Sequence, residues 1–554
     1  MKKQKNPISN FALYIFALLT FNTLNAQENL APGVYLIRFT DKYQQTYQLS
    51  SPNQFLSSRA LQRRQRQNIS LKANDLPVSP TYIDSLRKMG FIVLNTSKWL
   101  NAASVQVSDT TIFQKLSNIS FIKPYVNRVL TKANLYHLRK QEEIATLIEK
   151  QSVDFYGQSY DQIAIHHGDY LHNLGFRGQN MTIAVIDGGF NNADKMNAFD
   201  SLWAQNRVKL IKDIFNPIAN VFIEDSHGSM VLSTMASTKP GYIVGTAPMA
   251  DYVLLRSEKA LTEYLVEEFN WSVAAELADS IGVDIISTSL GYSVFDDPAM
   301  DHAYRDMNGR TTLVSIAASV ASSKGMIIVV SAGNEGDDAW KYITAPSDAD
   351  SILTVGAINT SGIRATFSSV GPTFDRRVKP DVVAIGSGAT VQTPANIIAK
   401  VNGTSFSAPI MAGLTACLWQ SNSTRTNMEV INAIKQSASQ FSSPDSLMGY
   451  GIPDFQKAYI SLNPLIRLGG KSIIAWPSPF TSEFNIEFGP IPEAKANLLI
   501  LTITGEKVLE KQLSVNNTDA NIITVTELAF LAKGLYIVHV ISDSQTIVCK
   551  VIKI

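Results

Sequence analysis

Cysteine is almost missing from this chain of 554 residues, with only Cys417 and Cys549 present. The two fall in segments read below as different domains, so a disulfide framework is not expected. Charge of one sign is also lacking. The net charge of +1 points to neither nucleic acid nor an anionic membrane as a partner. Charged residues make up 17% and hydrophobic residues 45%, a balance that suits a substantial core and excludes a largely disordered chain. Long apolar runs are scarce as well. The one at the start, Phe11–Phe21, falls far short of the roughly 20 residues a membrane span requires. Lys2, Lys3 and Lys5 precede it and Leu24-Asn25-Ala26 follow, so residues 1–26 read as a secretory signal peptide cut before Gln27. No other stretch is apolar for long enough to span. The expectation is an exported, soluble protein, long enough for two to four domains by the usual prior.

What is there is organised around Val401-Asn402-Gly403-Thr404-Ser405-Phe406-Ser407-Ala408-Pro409 and the apolar helix it opens. From Ala408 to Trp419 only Thr415 is polar, so the helix is expected to be buried on most sides. Gly403 permits a tight turn into it. Pro409 reads as lying near the end whose N–H groups lack intrahelical partners, where a missing donor costs least. Ser405 then stands at the positive end of the helix dipole, a good place for an oxygen that turns negative as it attacks. The plainer alternative is an N-cap serine.

A serine nucleophile needs a base, and the base needs an orienting group. Met181-Thr182-Ile183-Ala184-Val185-Ile186-Asp187-Gly188-Gly189 reads as a buried parallel strand with Asp187 at its C-terminal edge, where open α/β sheets place their sites. Asp225-Ser226-His227-Gly228 leads into the apolar-rich stretch Met230–Ala236, so His227 is expected to open a helix. The order along the chain is Asp187, His227, Ser405.

These motifs resemble the subtilisin-like serine peptidases (subtilases), whose triad runs in the same order. Val329-Val330-Ser331-Ala332-Gly333-Asn334-Glu335-Gly336 is similar to the family's oxyanion segment, and Ser287-Thr288-Ser289-Leu290-Gly291 to its substrate-binding strand. The resemblance covers roughly Tyr156 to Leu462, and four motifs in the right order make it specific. It implies a serine endopeptidase, made as a zymogen, that cuts proteins or peptides through an acyl-enzyme. His227 would act as base and Asp187 as its orienting group. Asn334 and the Ser405 backbone N–H would hold the oxyanion, with substrate along Ser289, Leu290 and Gly291. No cofactor is required by this chemistry and no metal ligand set is assigned. Structural calcium stays open, because some subtilases bind it although no ligand pattern of the required density occurs here. Two departures, Gly228-Ser229-Met230-Val231 and Gly188-Gly189-Phe190, bear on pocket shape and remove no catalytic atom.

Strand candidates at Tyr252–Leu255, Val283–Ser287, Met326–Val330, Ile352–Val355 and Val382–Ile385 alternate with helical patterns. The helices are expected near Gly228–Ser237, Thr262–Ser280, Leu313–Lys324, Ser405–Gln420 and Met428–Ser439. Such alternation argues an α/β domain, residues 151–462, with a mostly parallel sheet and helices on both faces. Ahead of it, residues 27–150 mix strands and helices. They resemble the family's small α+β propeptide, followed from Thr131 to Tyr160 by an exposed processing segment. The basic stretch Arg59, Arg63, Arg64, Arg66 reads as a solvated helix face rather than a nucleic-acid patch. His166, His167 and His172 have no Cys or acidic partners at ligand spacing and read as surface and loop histidines.

After a break at Asn463-Pro464 the signal turns to short strands, a small β-sandwich over residues 471–554. Trp476-Pro477-Ser478-Pro479-Phe480, Thr504-Gly505-Glu506-Lys507-Val508 and Leu531-Ala532-Lys533-Gly534-Leu535-Tyr536-Ile537-Val538 resemble the type IX secretion system's C-terminal sorting domain. Ser478 stands where that domain usually carries Asn. The resemblance implies passage through the periplasm to the cell surface or medium, with the type IX machinery as partner. The alternative from another class is a catalytically silent subtilase fold used as a surface binding module, yet Asp187, His227, Asn334 and Ser405 are all present. An esterase would carry a Gly-x-Ser-x-Gly elbow, which does not surround Ser405.

Overall fold

The computed structural model describes residues 27–43, 46–117, 119–124, 144–145, 155–463, 473–476, 478–489, 491–515, 517, 521–526 and 528–554. The expected signal peptide and residues 131–154 of the processing segment apart from Ile144-Ala145 lie outside the described residues. The chain divides into two compact units, residues 1–456 and 457–554.

Strands β1 (Glu28–Ala31), β2 (Val34–Arg38), β3 (Ile92–Ser97) and β4 (Ala102–Gln106) form an antiparallel sheet in the order β1-β2-β4-β3. Helices α1 (Ser58–Arg66) and α2 (Pro80–Met89) belong to the same α+β region. α2 carries proline in its first turn, where a missing N–H costs least, and stops at Gly90 with φ of +102°. Ile37, Phe39, Ile83, Leu86, Val105 and Phe113 fill the core beneath it.

The basic stretch corrects its sequence reading. Ser57 caps α1 by accepting the Ala60 N–H; Arg66 is exposed and Arg59 half-buried as a solvated face requires, but the other two arginines turn inward. Arg63 is fully buried and Arg64 nearly so. Arg63 Nη2 donates to Asp279 Oδ1 at 2.6 Å, and Arg64 Nη2 to Asp279 Oδ2 at 2.9 Å and Asp75 Oδ1 at 3.0 Å. Lys324 Nζ completes the cluster 2.9 Å from Asp75 Oδ1. Solvation was the wrong expectation for Arg63 and Arg64 because both meet Asp279, more than two hundred positions away, which no local pattern displays. Burying charge is tolerated where each ion is paired and hydrogen-bonded.

Seven strands make the central sheet, and each neighbouring pair is parallel. They are β5 (Thr182–Asp187), β6 (Val208–Asp213), β7 (Asp251–Arg256), β8 (Ile285–Thr288), β9 (Ile327–Ser331), β10 (Leu353–Ile358) and β11 (Val382–Ile385). The spatial order is β11-β10-β9-β8-β5-β7-β6. Continuous apolar runs such as Thr182–Ile186 suit strands covered on both faces, and every residue of β5 is buried. The helices that bear on the site are α3 (His227–Ala236), α4 (Leu265–Ile281), α5 (Leu313–Ser323) and, after the hairpin β12 (Ser387–Gln392) and β13 (Ile398–Asn402), α6 (Thr404–Ser421). α4 and α5 pack on each other, while α6 runs against β8, β9, β10 and β11 and touches α3. The α/β expectation is met, with a sheet that is wholly parallel.

The second unit holds two antiparallel sheets. One joins β14 (Ile473–Trp476), β15 (Phe484–Phe488) and β18 (Asn521–Val525). The other joins β16 (Lys495–Thr502), β17 (Lys507–Ser514), β19 (Gly534–Ile541) and β20 (Thr546–Lys553) in the order β17-β16-β19-β20. Alternate residues of β16 and β19 (Leu498, Ile500, Val538, Val540) are fully buried in one core with Phe484 and Ile486, the period-two signature of a strand with one covered face.

Candidate active site

Asp187 ends β5, fully buried. His227 opens α3, and its Nδ1 lies 2.9 and 3.0 Å from the two carboxylate oxygens of Asp187. That contact places the Nδ1 proton toward Asp187 and leaves Nε2 as the basic nitrogen. Two further bonds hold the pair. The Gly188 N–H donates to Asp187 Oδ1 at 2.8 Å, and the His227 N–H donates to Asp225 Oδ1 at 2.6 Å. Gly228 lets the helix come this close, because a β-carbon there would lie 2.4 Å from the Gly189 carbonyl oxygen and 2.9 Å from Asp187 Cβ. Burial pushes the Asp187 carboxyl above the usual carboxylate range, while His227 and the Gly188 N–H pull it back down.

Ser405 is the second residue of α6, 5% exposed, so its N–H is among those with no acceptor inside the helix. Pro409 is the sixth residue of that helix, one turn deeper than the sequence reading placed it. Its missing N–H therefore deprives the Ser405 carbonyl of its i+4 donor. The hydroxyl of Ser289 takes that place, donating to the Ser405 carbonyl at 2.7 Å. Ser289 thus ties the segment after β8 to the turn that carries Ser405.

Asn334 follows β9. Its Oδ1 accepts the Thr404 N–H and the Thr404 hydroxyl, each at 2.9 Å, and the Gly333 N–H donates to Thr404 Oγ1 at 3.3 Å. With Oδ1 committed, the Nδ2 end of the amide is the one turned away from Thr404 and able to donate. The structure thereby gathers Asp187, His227, Ser405, Asn334 and Ser289-Leu290-Gly291 around the carboxyl ends of β5, β8 and β9. Sequence reasoning missed Thr404 and Asp225. Both stood in quoted motifs, one residue before the serine and two before the histidine, and adjacency was the available signal.

The histidine cluster is the second correction. His167 is exposed on its side chain, but His166 and His172 are buried. His166 Nδ1 faces the Pro453 carbonyl at 3.1 Å. His172 Nδ1 meets the Tyr156 hydroxyl at 3.0 Å, and its Nε2 meets the Thr246 carbonyl at 3.0 Å. Burial pushes both histidines down to about 4. They pack inside the domain rather than on its surface: both ring nitrogens of His172 find partners there, while His166 is held through Nδ1 alone and its Nε2 is buried without a partner among the described residues. Cys417 donates to the same Thr246 carbonyl at 3.2 Å and behaves as the small buried side chain expected. Among the described residues one acidic group brings oxygens within 4.8 Å of one another, Glu258, Glu263 and Glu267. Three carboxylates alone do not assign a metal, and no calcium role is drawn from them.

Residues 178–451 match the family model described as the subtilase family. Residues 34–145 match a peptidase S8 propeptide domain of Bacteroidota, and residues 474–554 a secretion-system C-terminal sorting domain. Subtilisin NAT of Bacillus subtilis subsp. natto is 27% identical over 353 residues, covering 62% of this chain and 84% of its own. The subtilisin of Bacillus pumilus is 28% identical over 291 residues, covering 52% of this chain and 94% of its own. The crystal structure of MycP1 from Mycobacterium smegmatis aligns at 22% identity with a TM-score of 0.44, covering 58% of this chain and 89% of that one.

Proposed function

We propose, from the premise that this chain is a subtilisin-type serine peptidase with a propeptide and a secretion tail, that Asp187, His227 and Ser405 are its catalytic triad. The observation that carries the proposal is His227 Nδ1 held by both oxygens of a buried Asp187, at the sheet end where α6 presents Ser405. His227 Nε2 takes the proton from Ser405 Oγ as that oxygen attacks a peptide carbonyl, forming a tetrahedral oxyanion. The amide Nδ2 of Asn334 and the Ser405 N–H donate to that oxyanion. The imidazolium then protonates the leaving amine, the C–N bond breaks, and an acyl-enzyme on Ser405 remains. Water, deprotonated by His227, hydrolyses it. Asp187 fixes the imidazole tautomer and stabilises the imidazolium. Substrate lies extended along Ser289-Leu290-Gly291, whose backbone offers strand-like pairing. Ser405→Ala is expected to abolish casein hydrolysis while leaving the circular dichroism spectrum unchanged; retained turnover defeats the assignment.

The domain limits proposed are a signal peptide at 1–26, propeptide and processing segment at 27–150, catalytic domain at 151–462 and sorting domain at 471–554. The chain is then made as a zymogen inhibited by its own propeptide. Calcium is not required by this mechanism. The sorting domain indicates secretion or cell-surface export, and we assign the route through the periplasm and the type IX machinery. Its two sheets enclose their own core, so removal of residues 464–554 should leave an active peptidase in the periplasm. Normal export of the truncated protein overturns the route.

A further inference from the structure

Arg256 is the last residue of β7 and stands in register with the last residues of both neighbouring strands, Asp187 of β5 and Asp213 of β6. It is 3% exposed, and a cation so deep in a parallel sheet is tolerated only if it is paired and hydrogen-bonded. Its fork meets three different segments of the chain. Nε donates to the Gly188 carbonyl at 2.9 Å, Nη1 donates to Asp213 Oδ2 at 2.7 Å, and Nη2 lies 3.1 Å from Glu224 Oε2. The guanidinium also sits 5.5 Å from the centre of the Phe215 ring, within cation–π range.

Two of those segments carry the proposed base and its orienting group. Gly188 follows Asp187, and Glu224 stands three residues before His227. The pair Gly188-Gly189 gives the turn after Asp187 a wide choice of backbone conformations, yet a carboxylate that orients an imidazole has to be held in one. Gly188 is pinned at both ends, since its N–H donates to Asp187 Oδ1 at 2.8 Å and its carbonyl accepts from Arg256. The segment ahead of His227 lies directly against this turn. A β-carbon at Gly189 would lie 2.4 Å from the Asp225 nitrogen and 2.9 Å from Glu224 Cβ, and the Asn191 N–H donates to the Asp225 carbonyl at 2.9 Å. Asp225 in turn accepts the His227 N–H at 2.6 Å. One planar fork, anchored on the edge strand through Asp213, therefore clamps the turn that carries the carboxylate to the segment that carries the imidazole.

We propose that Arg256 is a positioning residue for the triad, fixing the approach of Asp187 to His227 by tying the two segments that carry them to the end of β6. It acts through Asp187 and takes no part in proton transfer, because a guanidinium keeps its protons. This inference rests on the assignment of Asp187 and His227 above.

The test is steady-state kinetics of the processed enzyme on a peptide p-nitroanilide, with Arg256→Lys made alone and together with Asp187→Asn. Arg256→Met would leave Asp213 buried without its cation and threaten the fold, whereas lysine keeps a positive charge for Asp213 and loses the fork. Arg256→Lys should lower kcat by roughly 10- to 100-fold with KM little changed, the scale on which a small misplacement of a catalytic group costs rate. The pH at which kcat/KM reaches half its plateau should also move down, since a carboxylate that faces the imidazole less squarely stabilises the imidazolium less. Position 256 carries the same charge in both enzymes, so that movement reports alignment. In the Asp187→Asn background the effect of Arg256→Lys should shrink to within about twofold, because the group it acts through is gone. An unchanged kcat and pH midpoint in Arg256→Lys, or a loss of equal size in both backgrounds, overturns the proposal and leaves the triad standing. Wild-type turnover in Asp187→Asn alone removes the triad assignment and this inference with it.

Discussion

Asn334 is held by accepting twice from Thr404, and this fixes which end of its amide faces a substrate. A turn asparagine between glycines is a common thing in loops. The difference here is that its Oδ1 is spent on the residue next to the nucleophile. Replacing Asn334 by Ala removes one oxyanion donor, and such a loss is worth about 3 kcal/mol of barrier. Asn334→Ala should therefore lower kcat by roughly 10²–10³ with KM little changed. Steady-state kinetics on one amide substrate checks it; a rise in KM with kcat intact would move Asn334 from oxyanion to ground-state binding. The four proposed chemical residues were readable from the sequence because each sits in a short motif of apolar run, polar residue and glycine.

Elements with continuous apolar runs were placed well. β7, β8, β9, β10 and β11 begin and end within about three residues of the sequence reading, as do α3 through α6. β6 was missed. Its residues Val208-Lys209-Leu210-Ile211-Lys212-Asp213 are half exposed at the sheet edge, and an edge strand carries lysines that dilute the apolar signal. The short helix Gly168–Asn173 shows the opposite failure. It is too brief for a period to declare itself, so His172 looked like a loop residue although it packs inside.

That burial has a consequence for pH. The folded state holds His166 and His172 neutral down to about 4, whereas an unfolded chain protonates histidine near 6.5. Below about 6.5 the unfolded state binds more protons, so stability falls as pH drops and the loss is complete near 4. Each histidine accounts for about 3 kcal/mol across that window. Thermal melts of Ser405→Ala, which cannot digest itself under this account, should show Tm falling steadily from pH 7 to 4. His172→Gln should flatten the fall. An identical slope in that variant contradicts the buried-histidine explanation.

At the scale of the whole chain, composition pointed to unpaired cysteines, and Cys417 and Cys549 are both free; the motifs gave the order of parts. Long-range charge pairing lay beyond both. Arg63, Arg64, Asp75, Asp279 and Lys324 join α1 to the ends of α4 and α5, and the sequence shows only a basic helix and scattered carboxylates. The N-terminal region is therefore docked by buried ion pairs as well as by its sheet. Removal of the N-terminal region would take Arg63 and Arg64 away from Asp279, a buried carboxylate of α4.

The claim on which all else depends is that Ser405, activated by His227, is the nucleophile. A fluorophosphonate reacts at an activated serine oxygen by losing fluoride, and leaves a stable phosphonyl ester of defined mass. Peptide mapping of the labelled, processed protein by mass spectrometry is the direct measurement. The account predicts one adduct, on Ser405, absent from Ser405→Ala and formed far more slowly in His227→Ala. An adduct on another serine, or full peptidase activity with Ser405 unlabelled, contradicts it.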